Sequence, residues 1–145
     1  SMGSPNYYAG ADVVDAYYEE QDDWRRQASS NGCRFIPAVS PGFNDRGVRL
    51  EADHPPLSRR LTAYEEPGSL FAYAIPKALK LVDPMVDNLL LVNSFNEWHE
   101  DSQIEPAVGE STTLPAELTG GVEYVGYGEL YLNLLRQGTA PDRGN

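Results

Sequence analysis

Leu89-Leu90-Leu91-Val92-Asn93-Ser94-Phe95-Asn96-Glu97-Trp98-His99-Glu100 is the stretch that decides the fold. Its first four residues are apolar without alternation, the pattern of a strand buried on both faces, and the expected strand runs to about residue 95. Polar and acidic residues follow at once and continue to Pro106. An apolar run that feeds directly into a chemistry-bearing loop suits a parallel α/β sheet, where functional residues gather at the carboxyl ends of strands.

Reading outward, residues 67–81 form an expected helix with Leu70, Phe71, Ala74, Ala78, Leu79 and Val82 inward, stopped by Asp83-Pro84. Pro76 would kink it unless the helix starts later. Residues 40–66 read as a long polar loop containing His54-Pro55-Pro56 and Arg59-Arg60. Residues 33–39 read as another buried parallel strand, with Pro37 counting against a central position. An amphipathic helix is expected over 12–31, capped by Asp12 and stopped at Asn31-Gly32. Val13, Val14, Tyr17, Tyr18, Trp24 and Ala28 recur along it at helical spacing. Asn6-Tyr7-Tyr8-Ala9-Gly10 reads as the end of an earlier strand. Downstream, a last helix over about 127–137 carries Leu130, Tyr131, Leu134 and Leu135 and ends at Gly138. The order is strand-helix three times, hence about three βα units of an α/β fold with parallel strands and flanking helices.

Composition narrows the function classes. The chain has 145 residues, 22 Asp plus Glu against 11 Lys plus Arg, and a formal charge of -11. No basic face is available for phosphates, so neither nucleic acid nor an anionic membrane is an expected partner. Cys33 is alone, which excludes an internal disulfide and a Cys-based zinc site, and it reads as a small packed residue. No apolar run approaches the ~20 residues of a membrane span. Residues 1–4 read as an expression-vector remnant, 5–138 as a single domain and 139–145 as a flexible tail. Nothing in the sequence assigns a localisation.

The chemistry lies at Glu97 and Glu100, three apart directly after the strand. In a continued strand they would face opposite ways, whereas a turn after Glu97 lets both face one cavity. Phe95 and Trp98 are interleaved with them. Burial beside an aromatic ring raises a carboxyl pKa, the means by which one Glu acts as acid while another stays a base. Trp98 also offers a face for a sugar. Asn96, His99 and Gln103 either orient the acids or satisfy loop backbone groups. The plain alternative is a solvated acidic loop. His99 lacks a second nearby His, so no metal is assigned.

Asn96-Glu97-Trp98-His99-Glu100-x-x-Gln103-Ile104-Glu105-Pro106 resembles the signature of glycoside hydrolase family 99, the endo-α-1,2-mannosidases and mannanases. Phe35-Ile36-Pro37-Ala38-Val39-Ser40-Pro41-Gly42-Phe43-Asn44-Asp45 is similar to that family's preceding strand and loop, and Arg59-Arg60, Tyr64 and the helix through Leu79 fit the same order. The resemblance implies the C-terminal portion of a (β/α)8 TIM-type barrel that cleaves within α-mannoside chains with retention. It implies Glu97 as general base toward the sugar's own 2-hydroxyl, a 1,2-anhydro sugar intermediate, and Glu100 as general acid/base. It further implies substrate contacts at Tyr8, Asn96, Trp98, His99, Gln103 and Glu105, an α-mannoside oligosaccharide or polysaccharide as partner, and no cofactor. Asp101-Ser102 stands where the family commonly has Gly-Thr. This adds a negative charge beside the acid and removes glycine's freedom at positive φ.

A (β/α)8 barrel typically needs ~250 residues. Three βα units alone would leave sheet edges and apolar helix faces uncovered, so a homo-oligomer completing the sheet is expected. The alternatives are a non-catalytic barrel fragment that binds carbohydrate or self-assembles, and a surface-polysaccharide biosynthesis protein sharing the motif.

Overall fold

A computed structural model describes residues 7–46, 48–49, 54–108 and 126–140. Residues 1–4 and 141–145, read as remnant and tail, lie outside that set.

The described elements are α1 (Gly10–Ser30), β1 (Ala38–Val39), α2 (Ser69–Leu79), a 3₁₀ turn (Pro84–Val86), β2 (Leu91–Val92), a second 3₁₀ turn (Trp98–Glu100) and α3 (Leu130–Thr139). β1 and β2 pair in parallel, Ala38 opposite Leu91 and Val39 opposite Val92. The Leu91 and Asn93 amides donate to the Pro37 and Val39 carbonyls. With α2 as the crossover, this is a βαβ unit. α2 is the hub of the core. Its Leu70, Phe71, Ala74, Ile75 and Ala78 are buried, and it packs against α1, β1 and α3. Phe71 meets Tyr131 of α3 edge to face at 5.8 Å between ring centroids. Each such buried side chain contributes ~1.5–3 kcal/mol of apolar transfer, which is what fastens the helices to so small a sheet.

The strands are shorter than the apolar runs suggest. Pro37 has no N–H, so it joins the ladder only through its carbonyl, and residues 33–36 make no ladder bonds. β2 is not buried on both faces: Leu91 is 55% exposed, because among the described residues β1 is its one partner strand. The expected first strand is a single parallel bridge. Tyr7 pairs with Leu57, donating to the Pro56 carbonyl and accepting from the Ser58 amide, so it ties to the 40–66 loop and not to β1. The described sheet therefore has two strands where three were expected.

The helices follow their periodicity with local corrections. α1 starts earlier than Asp12, which sits in its first turn without capping it and complements the helix dipole there. Its buried stripe is Val14, Tyr18 and Gln21, while Val13, Tyr17 and Trp24 are exposed. Its outer face carries Asp22 paired with both Arg25 and Arg26. Pro76 lies inside α2, which begins at Ser69. Gly138 does not end α3; the helix runs through it to Thr139, so residue 139 is helical and not tail. Cys33 is exposed, since residues 31–34 lie beyond the helix end on the surface.

Candidate functional site

β2 delivers the chain into a loop closed at its neck by backbone bonds. The Ser94 amide donates to the Ser102 carbonyl, the Ile104 amide to those of Ser94 and Phe95, and the Glu105 amide to that of Phe95. Ser102, Gln103 and Ile104 are buried and form the loop's floor. Above them the Glu97 amide donates to Ser94 Oγ at 2.9 Å, and the Ser102 amide donates to the Glu97 carbonyl. The chain turns through Trp98–Glu100 as one 3₁₀ turn, whose amino-terminal flank is Glu97. Glu97, with φ -85° and ψ 78°, flanks the turn and Glu100 closes it, so the two glutamates lie on one short turn.

The carboxylates are more open than the flanking rings led one to expect. The Glu97 side chain is 49% exposed and that of Glu100 29%; Phe95 and Trp98 are themselves about half exposed. Among the described residues, Asn44 and Arg49 stand against the loop, with Asp45 behind Arg49. His99 Nδ1 lies 3.8 Å from Glu97 Oε1, an ion pair when the imidazole is protonated. Arg49 Nη1 donates to Glu100 Oε1 at 3.1 Å and to Asp45 Oδ2 at 2.7 Å, while the Asn44 amide donates to the Glu100 carbonyl at 2.7 Å. Asp45 is buried, and His54 Nε2 stands 3.5 Å from the same Oδ2. Burial opposes ionisation of Asp45, but the Arg49 hydrogen bond and the charges of His54 and Arg49 outweigh it and hold its carboxyl below the usual carboxylate range.

The far side of the loop is held by Arg59, 4% exposed. Its guanidinium donates to Asp101 Oδ1 and to the carbonyls of Asp101 and Gln103, and Nη2 reaches Gln103 Oε1 at 2.9 Å. The rings of Tyr127 and Tyr131 lie 4.6 and 4.5 Å from its central carbon. Asp101 takes φ 44°, the left-handed region in which glycine is most at ease, and Asp tolerates that region better than most residues.

Asn96, Glu97, Trp98, His99 and Glu100 are thus together on one exposed turn. Gln103 is buried and its amide oxygen is taken by Arg59, which places it under the loop. Glu105 is half-buried, and its Oε2 has no hydrogen-bond partner among the described residues. Tyr8, partly exposed at the start of α1, makes no hydrogen bond or ring contact to the loop among the described residues. Sequence reasoning missed Asp45, Arg49, Tyr127 and Tyr131 as supports. The Asp45…Arg49 i,i+4 spacing was the available signal, whereas nothing local marked Arg59 as a clamp.

Comparison with known proteins identifies the family. The sequence profile of Glycosyl hydrolase family 99 matches residues 3–139. The chain is 34% identical over 109 residues to the Glycoprotein endo-alpha-1,2-mannosidase-like protein of Mus musculus, covering 74% of this chain and 21% of that protein. It is 37% identical over 84 residues to the Glycoprotein endo-alpha-1,2-mannosidase of Xenopus laevis, covering 58% and 16%. The GH99 endo-alpha-mannosidase from Bacteroides thetaiotaomicron superposes with a TM-score of 0.58 at 25% identity, over 91% of this chain and 34% of that one. The chain therefore spans about a fifth of the curated relatives and a third of the solved one. On the strength of a match over nearly its whole length, the chain belongs to glycosyl hydrolase family 99.

Proposed function

We propose that the 94–105 loop carries the acid/base pair of a retaining, endo-acting α-mannoside-cleaving site, within the C-terminal part of a (β/α)8 barrel. The observation that supports this most is the pair of glutamates at the flank and the end of a single short turn that follows β2. The relatives' printed activity supplies the substrate class, α-1,2-linked mannosides.

On this reading the Glu97 carboxylate removes the proton from the sugar 2-hydroxyl. O2 attacks C1 and the glycosidic C–O bond breaks, while Glu100 gives its proton to the departing oxygen. Glu100, now a carboxylate, takes a proton from water. The water oxygen opens the 1,2-anhydro ring at C1, and O2 recovers its proton from Glu97. Two inversions at C1 give net retention. The glutamates need not span the ~5–5.5 Å of a pair with a carboxylate nucleophile, because the nucleophile is the substrate's own oxygen. Trp98 stacks on a sugar face and Asn96 and His99 meet hydroxyls. Glu100→Gln is expected to lower turnover of an α-1,2-mannan oligosaccharide at least ~10²-fold, the ordinary size of a general acid/base contribution. Unchanged turnover overturns the role.

A second reading is favoured by a specific observation. Leu89, Leu91 and Phe95 are about half exposed, and an apolar groove of ≈ 400 Å³ lined by Tyr7, Val13, Tyr17, Leu57 and Leu70 opens beside β1. These surfaces suit self-association that extends the sheet, with the loop binding glycan without cleaving it. Calorimetric binding of the oligosaccharide with no hydrolysis selects this reading over the first.

A further inference from the structure

We infer that Arg59 is the positioning residue of the Glu97–Glu100 turn and that Asp101 is its counter-charge, so that the acidic residue following Glu100 acts on Arg59 and not on the acid/base glutamate. The inference deepens the reading of Glu97 and Glu100 given above and rests on it.

Three observations converge. The guanidinium bonds acceptors on both sides of Ser102: Asp101 Oδ1 at 3.1 Å, the Asp101 carbonyl at 2.9 Å, the Gln103 carbonyl at 3.1 Å and Gln103 Oε1 at 2.9 Å. Asp101 is joined by a peptide bond to Glu100, so the clamp fixes the exit of the turn next to the carboxylate. Next, the guanidinium is held in place, because the Tyr127 and Tyr131 rings contact it and the Arg59 backbone carbonyl accepts from the Gly68 and Leu70 amides. Lastly, a buried guanidinium requires an opposite charge. The Asp101 carboxylate lies 3.0 Å from Nη2, and a Gly at 101 would supply none. A planar fork of five N–H donors meets this array of acceptors, and an ammonium has three donors and no plane.

A residue that only stabilised the fold would loosen the whole molecule when removed. A positioning residue loosens residues 95–105 first. The test is amide hydrogen exchange on the full chain, comparing that segment with α1, in Arg59→Met, Arg59→Lys, Asp101→Gly and the Arg59→Met/Asp101→Gly double variant. Arg59→Met is expected to speed exchange in 95–105 about tenfold or more with α1 unchanged. Arg59→Lys should fall between it and the parent, and stands in for it if the Met variant does not fold. The double variant should exchange more slowly than Arg59→Met alone, because it removes the stranded carboxylate. Equal acceleration in both segments, or none in 95–105, overturns the inference. Turnover of the α-1,2-mannan oligosaccharide supplies the separate readout: Arg59→Met lowers kcat with KM little changed. A parent chain that neither binds nor cleaves the oligosaccharide sinks the functional reading, and the exchange experiment still decides the role of Arg59.

Discussion

At the scale of the residue, Asp45 governs how the Glu100 side of the turn responds to acid. Its folded pKa is depressed below the ordinary 3.8 by Arg49 and His54, against burial. Ionised Asp45 therefore stabilises the fold fully above that ordinary value, and the contribution is lost as pH falls through the lower folded value. Asp45→Asn is expected to cost about 1–3 kcal/mol near neutrality, the worth of a hydrogen-bonded charge pair. It should also flatten the acid limb of a thermal-melt series below about pH 4. An acid limb unchanged from the parent would refute this. The turn that carries Glu97 and Glu100 was legible in the sequence, because an apolar run gives way there to polar and acidic residues. Asp45 and Arg49 were not, because an i,i+4 pair in a polar loop looks like any surface pair until burial of Asp45 is known. The burial of Gln103 was not legible either, because it depends on Arg59, 44 residues away in sequence.

At the scale of the element, the meeting of α2 and α3 turns on Gly138. A Cβ built there lies 2.6 Å from Ile75 Cγ2 and 3.3 Å from Ile75 Cβ, and Ile75 is fully buried. The near atoms belong to the branched, inflexible part of that side chain, so it cannot swing aside. Gly138→Ala gains up to ~1 kcal/mol of helix propensity, but overpacking costs ~1–3 kcal/mol, so the variant should melt lower. A raised melting temperature would contradict the packing argument. The same contact explains why the sequence misled: a late glycine signals a helix stop, and close approach of two helices uses the same residue for a different reason. Helices α1 and α2 were legible from periodicity, although only α2 has a one-sided apolar face, since Val13, Tyr17 and Trp24 of α1 are exposed. The strands were legible as apolar runs but not in length, since Pro37 and the single partner strand limit pairing. Two tyrosines anchor the outer helices to the core. Burial pushes Tyr18 of α1 well above its ordinary value and Tyr131 of α3 up to about 12. Raised phenol values mean stability is complete below the ordinary 10.0 and is lost as pH rises through the folded values. Tyr131→Phe should blunt that alkaline loss, as read by circular dichroism.

At the scale of the whole molecule, two forces oppose. A charge of -11 drives copies apart, and the exposed Leu89, Leu91, Phe95, Val13 and Tyr17 are the apolar surface on which copies would have to meet. Salt screens the first, with a Debye length of about 8 Å at physiological ionic strength, and leaves the second intact. The mass from light scattering at micromolar concentration should therefore rise with added salt if the apolar surfaces meet. A monomer at every salt concentration excludes self-association. The succession from α1 to α3 was legible because each element is a local pattern, whereas the expected first strand is a single bridge. What brings residues 59, 101–103, 127 and 131 together was not, because no local pattern encodes a contact across such sequence distances.

The pair of tyrosines against Arg59 has a topological consequence. One ring, Tyr127, precedes α3 and the other, Tyr131, belongs to it. The carboxyl-terminal helix is therefore upholstery for the acidic turn as much as a cover for α2. A chain cut back to residue 126 would retain both glutamates and every residue of the motif, yet it would take away both rings that stand against the guanidinium. Loss of function on such trimming would then report the undoing of a keystone and not the removal of chemistry.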